Sequence, residues 1–186
     1  MNEDDILLET EDNMEKSVAY LEHELASVRT GKASPALVEN LDVQAYGASM
    51  KLKQFAMITT PESRLIVIQP FDASTVRPIE VALRESKLGI NPAVDGRIIR
   101  LPIPELNEER RRDLVKAVRH MAEEARVRVR SNRHHGIDSI KRLHKEAGIT
   151  DDDAHRLEKE VQKLTDTHIR KIDEHLKHKE AEIMTV

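Results

Sequence analysis

The amino-acid sequence predicts an α+β protein of two domains, in which a small β/α/β domain is inserted into a long three-helix bundle. Apolar residues recur at helical spacing at both ends of the 186-residue chain, whereas the middle holds short alternating or β-branched runs bounded by Gly and Pro. Phe, Tyr and Trp make up only 2% of the residues and charged side chains 34%, so the core must be aliphatic, as in long amphipathic helices.

Met14, Val18, Leu21, Leu25 and Val28 are spaced 4, 3, 4 and 3, which predicts a first helix through about Val28, stopped by Gly31, Ser34 and Pro35. Leu41 to Tyr46 alternates as a strand does, Tyr46 to Ser49 reads as a turn, and Arg64 to Gln69 reads as a buried strand ending at Pro70. Ser74 is the expected N-cap of a helix carrying Val76, Ile79, Val81 and Leu83. Leu88-Gly89-Ile90-Asn91-Pro92 closes that helix before a strand pair between Gly96 and Ile103.

Leu101-Pro102-Ile103-Pro104 forms a stiff extended exit, because each Pro biases its predecessor away from helix. Asn107 is placed to cap the next helix, with Glu108 and Glu109 in its positively polarised first turn. That helix continues to Gly148, roughly 40 residues or about 60 Å. Thr150 followed by Asp151, Asp152 and Asp153 signals a new start, and Leu157, Val161, Leu164, Ile172, Leu176 and Ile183 supply its apolar seam. The bundle is therefore expected from residues 1–30 and 106–186, and the inserted domain from 31–105. Bending is expected at the two crossings, Arg29 to Pro35 and Leu101 to Glu105, with Thr30, Gly31, Pro102, Ile103, Pro104 and Glu105 as hinge residues.

Charge is segregated along the chain. Residues 1–30 hold two basic and nine acidic side chains, whereas 106–149 hold twelve and seven, so a net of −4 conceals a basic third helix. Within the run from Arg110 to Arg133, Arg112, Lys116, Arg119, Arg126, Arg130 and Arg133 are spaced 4, 3, 7, 4 and 3, one stripe of a helix. Val115, Val118, Ala122, Ala125 and Val129 form an apolar seam beside it, so one face can pack while its neighbour meets a polyanion.

Few catalytic chemistries remain. The chain has no Cys, P-loop, GxSxG, dinucleotide fingerprint or HExxH. Neither His134-His135 nor His175 and His178 has a credible metal-ligand geometry; both pairs are expected in solvated faces, and no metal or cofactor is expected. No apolar run approaches the ~20 residues that span a bilayer. The acidic N-terminus is unlike a leader, and a cytoplasmic protein is expected. With almost no aromatic platform for bases, arginines on a rigid helix suit the backbone and shape of a large folded RNA.

Val28-Arg29-Thr30-Gly31-Lys32-Ala33-Ser34-Pro35, Leu88-Gly89-Ile90-Asn91-Pro92, Ile99-Arg100-Leu101-Pro102-Ile103-Pro104, Glu108-Glu109-Arg110-Arg111 and Val161-Gln162-Lys163-Leu164-Thr165-Asp166 stand in this order. With them the chain resembles the bacterial ribosome recycling factor family over essentially its whole length. The resemblance implies an L-shaped, monomeric, non-enzymatic factor. Its bundle would bind large-subunit ribosomal RNA, and it would act with elongation factor G and GTP to split the post-termination ribosome, releasing messenger and transfer RNA. It also implies RNA contacts at Arg29, Arg111, Arg130 and Arg133, to which the basic run adds Arg110 and, as further candidates, Arg112, Arg119, Arg126 and His134. The chain departs from the family pattern at Arg133-His134-His135-Gly136-Ile137-Asp138, which loses an arginine and places Gly within a helix at a cost of about 1 kcal/mol. Because a histidine is only partly charged near neutrality, an RNA contact at His134 is expected to strengthen as pH falls. The competing expectation is a helical scaffold or adaptor that recruits protein partners and leaves its arginines as a solvated face.

Overall fold

The computed structural model describes residues 2–185. Its elements are α1 (Glu3–Ala26), β1 (Asp42–Ala45), β2 (Ala48–Lys51), β3 (Ala56–Glu62), β4 (Leu65–Pro70), α2 (Val76–Glu85), β5 (Ala93–Asp95), β6 (Ile98–Pro102), α3 (Glu108–Ala147) and α4 (Asp151–Met184). The chain forms two compact units, one from residues up to Leu25 and from Asp113 onward, the other from Ala26–Arg112. Ala26 at the end of α1 and the start of α3 through Arg112 thus group with the sheet-containing unit, and Val28 and Leu106 are buried.

The helical unit is built on three apolar seams. Val118, Ala122, Ala125 and Val129 of α3 are buried, as are Leu157, Val161 and Ile172 of α4. Each large aliphatic side chain so removed from water contributes about 1.5–3 kcal/mol. In α1 the seam starts earlier than Met14: Ile6 and Thr10 continue it toward the N-terminus in steps of four, and Glu3, Asp4 and Asp5 occupy the turn where the helix dipole favours carboxylates. The acidic opening of the chain is therefore helix, and α1 stops at Ala26, short of Val28. Asn107 Oδ1 accepts the Arg110 N–H at 2.7 Å, and Thr150 accepts the Asp153 N–H at 3.1 Å, so both caps read from the sequence form.

Gly136 is the departure that the fold explains. A Cβ at this position would lie 2.7 Å from Thr10 Oγ1, itself committed to the Ile6 carbonyl. Here α3 approaches α1 more closely than any larger residue permits, and Asn132 donates to the Asn13 carbonyl and to Ser17 Oγ along the same seam. Backbone freedom is surrendered in exchange for helix contact.

In the second unit, β1 and β2 form a two-stranded hairpin, while β3-β4-β6-β5 form an antiparallel sheet in that order. The hairpin closes through Tyr46 and Gly47, both at positive φ (52° and 74°), the conformation of a two-residue primed turn. The sequence reading missed β2 and β3. Pro61 lies within β3, an edge strand whose register shifts between Thr59 and Glu62, and there a proline removes no ladder bond. Ser74 is also not the cap of α2: Asp72 caps a short 3-10 turn, Ala73–Thr75, by accepting the Ser74 N–H, and α2 begins only at Val76. Ile66, Ile68, Ile79, Leu83, Ile99 and Leu101 form the core between sheet and helix. Among the described residues no helix is long and apolar enough to cross a membrane.

Candidate nucleic-acid interface

The arginines of α3 fall into two sets, separated by what α4 offers them. Arg119, Arg126 and Arg133 repeat every seven residues, as do Asp166, Asp173 and Glu180 of α4 in the opposite chain direction. The sets meet as rungs. Arg119 Nε donates to Glu180, Arg126 Nε and Nη2 both donate to Asp173 Oδ1 (3.0 and 2.6 Å), and Arg133 Nη1 donates to Gln162 Oε1 (3.3 Å), which is in turn bonded to Asp166. The stripe is thus not uniformly open: Arg119 and Arg126, expected as further RNA contacts, are also paired to acidic groups of α4 and form part of an α3–α4 clasp. Burial opposes the charge on Arg126, but its bonds to Asp173 and Glu123 outweigh this and raise its pKa above the ordinary arginine value. The Glu180 bond does the same for Arg119. The matched sevenfold repeats were the available sequence signal for this clasp.

Arg130 has its side chain 46% exposed and, among the described residues, is bonded to Glu123 alone, at 2.9 Å. Such surface pairs contribute about 0–1 kcal/mol, so a phosphate can replace Glu123 at little cost. Glu123 is held below the usual carboxylate range, first by Arg130 and then by Arg126. Arg112 pairs with Glu108 one turn before it, again at the surface, and His134 is exposed.

A second group stands at the start of α3. Arg29, Arg110 and Arg111 have no acidic partner among the described residues, and the charge of Arg110 reaches Arg29. Burial first, and that like charge second, push the Arg29 guanidinium down from its ordinary value. Sequence spacing placed Arg111 toward the apolar seam; the structure has it half-buried, with Nε fully enclosed and without a hydrogen-bond partner. Arg133 Nε is in the same condition.

The expected hinge residues divide. Pro102 ends β6, Ile103 is buried with its N–H on the Arg64 carbonyl at 2.8 Å, and Glu105 is ion-paired to Arg64. Pro102 and Ile103 are thus tied to the sheet through β6 and the Arg64 carbonyl. Thr30 and Gly31 lie in irregular chain, as does Pro104.

These features define an arginine-faced α+β protein with a sheet unit inserted between long helices. The family model described as ribosome recycling factor matches residues 21–184. The ribosome-recycling factor of Akkermansia muciniphila is 56% identical, with both chains covered in full, and that of Chloroflexus aurantiacus is 51% identical over 98% of each chain. A solution structure of the ribosome recycling factor superposes with a TM-score of 0.82 at 43% identity, covering 100% of this chain and 99% of the other. A second match covers both chains in full, with a TM-score of 0.69 at 44% identity. It comes from models for the T. thermophilus ribosome recycling factor and the E. coli elongation factor G bound to the E. coli post-termination complex. The chain belongs to the ribosome recycling factor family, whose members are non-catalytic translation factors.

Proposed function

We propose that this chain acts after termination, with elongation factor G and GTP, to split the post-termination ribosome and release messenger and transfer RNA. The family supports the activity, and the neighbour bound with elongation factor G to a post-termination complex supports the partners. Contact with large-subunit ribosomal RNA is assigned to Arg29, Arg110, Arg111, Arg130 and Arg133, with Arg112 and His134 as flanking contacts. Thr30, Gly31, Pro104 and Glu105 are assigned as the flexible crossings. The protein works as a monomer in the cytoplasm, where its partners are.

One observation carries the RNA assignment. The buried side-chain nitrogens without a partner among the described residues, Arg111 Nε and Arg133 Nε, both belong to arginines in the proposed contact. Each Nε is enclosed without a protein acceptor, and a phosphate oxygen would meet the remaining N–H groups of the same guanidinium through charge-assisted bonds. Cosedimentation with large ribosomal subunits across a salt series tests the reading. Binding should weaken steeply with salt; Arg130→Glu alone should weaken binding and splitting while the thermal midpoint hardly moves, and Arg130→Glu with Arg133→Glu should abolish both, with a lowered midpoint because Arg133 also bonds Gln162. Salt-insensitive binding, or full binding by the double variant, would return the arginines to a solvated face.

A further inference from the structure

A groove of the sheet-containing unit is lined by none of the arginines assigned above. Its volume is about 610 Å3, and it lies between β1 and the outer flank of α2, with Asp42 and Gln44 on the strand side and Arg77, Val81 and Glu85 on the helix side. The strand side is an unpaired edge. A two-residue turn makes Ala45 and Ala48 a hydrogen-bonded pair, so the next such pair is Val43 with Met50, and the Leu52 N–H on the Leu41 carbonyl at 2.8 Å continues the alternation. Asp42 and Gln44 occupy the positions between. Their N–H and C=O groups therefore point away from β2, and none has another backbone partner among the described residues. An edge of this kind is a template for one more strand.

The helix side is shaped for that strand. Ile79 and Leu83 bury the core face of α2, leaving Arg77, Val81 and Glu85 as an exposed column one turn apart, with Val81 44% exposed at its centre. Glu80 and Arg84 pair with each other at 2.7 Å, whereas Arg77 and Glu85 have no ionic partner among the described residues. Their eight-residue separation spans about 12 Å, the length of roughly four extended residues. The dipole of α2 adds to both charges, positive beside Arg77 and negative beside Glu85. Asp42 on the strand is neutralised by Lys51 at 2.8 Å, and the opposite signs of Arg77 and Glu85 match a polypeptide carrying both charges better than a polyanion.

We propose that this groove is a β-augmentation site for an extended segment of a partner protein. The segment pairs with β1 through the backbone of Asp42 and Gln44, seats an apolar side chain on Val81, and sets an acidic residue against Arg77 and a basic one against Glu85.

Selection of phage-displayed random peptides on the full chain tests this. Enriched peptides should carry an acidic and a basic residue about four positions apart around a β-branched residue. A synthetic representative should slow hydrogen exchange of the Asp42 and Gln44 amides about tenfold or more, and Val81→Glu should weaken it about tenfold or more. Gln44→Pro removes an N–H that the ladder to β2 does not use and should abolish binding while circular dichroism is retained. Exchanging the charges by Arg77→Glu with Glu85→Arg should reject that peptide and accept its counterpart with acid and base interchanged; should Gln44→Pro unfold, this pair and the exchange measurement decide. Absence of enriched peptides, peptide binding without protection of these amides, or their protection by an RNA oligonucleotide instead would overturn the proposal.

Discussion

At position 136 a single hydrogen atom decides how closely two helices approach. Helix propensity alone favours Ala over Gly by about 1 kcal/mol, yet Gly136→Ala would place its methyl 2.7 Å from Thr10 Oγ1. The buried clash outweighs the propensity gain, and a loss of about 1–3 kcal/mol is expected in urea unfolding. Adding Thr10→Ala removes the two nearest atoms and leaves the Thr10 Cβ at 3.6 Å, so the double variant should recover much of that loss. Strict additivity would show that Thr10 is not the obstacle. The sequence exposed the cost of this glycine but not its purpose, because the residue that demands it lies far away along the chain.

Between elements, the contacts that matter join groups that look unremarkable in one dimension. His168 of α4 is only 2% exposed, its Nδ1 2.6 Å from the Leu164 carbonyl and its Nε2 3.0 Å from Glu15 of α1, while Lys171 reaches the same Glu15 oxygen at 2.7 Å. Glu15 lies below its ordinary value of 4.5, chiefly through the Lys171 hydrogen bond and also through His168, against a smaller opposing effect of burial. A carboxylate depressed in the folded state stabilises fully above its unfolded value and loses that contribution as pH falls through the folded one. The stability difference between the wild type and Glu15→Gln should therefore be largest above about pH 5 and shrink in more acidic solution, as followed by urea midpoints. A difference independent of pH would remove Glu15 from the acid response. On α3 the distinction between clasp and contact predicts a second contrast: Arg126→Ala should lower the thermal midpoint, while Arg130→Ala should leave it nearly unchanged and weaken ribosome binding instead.

For the whole molecule, the distribution of unpaired positive charge separates folding from function. Arg29 is disfavoured in the free protein by burial and by Arg110, so Arg110→Ala should not destabilise the chain and should relieve Arg29. The same change should weaken ribosome binding and reduce the slope of log affinity against log salt by about 1 for each phosphate that Arg110 had neutralised. An unchanged slope would take Arg110 out of the interface. Seams, the caps of α3 and α4, the order of helices around an inserted sheet and the family itself were legible in the sequence, whereas the cap before α2 was misplaced to Ser74. Helical period, Asn107, Thr150 and contiguous motifs are local signals, written within a few residues of the structure they produce. Which members of the arginine stripe are held by α4, why Gly136 is needed, how Pro61 fits a strand and where β1 keeps an open edge were decided only by tertiary structure. Each depends on a partner brought close by folding, and a charge or a glycine takes its energetic meaning from that neighbour.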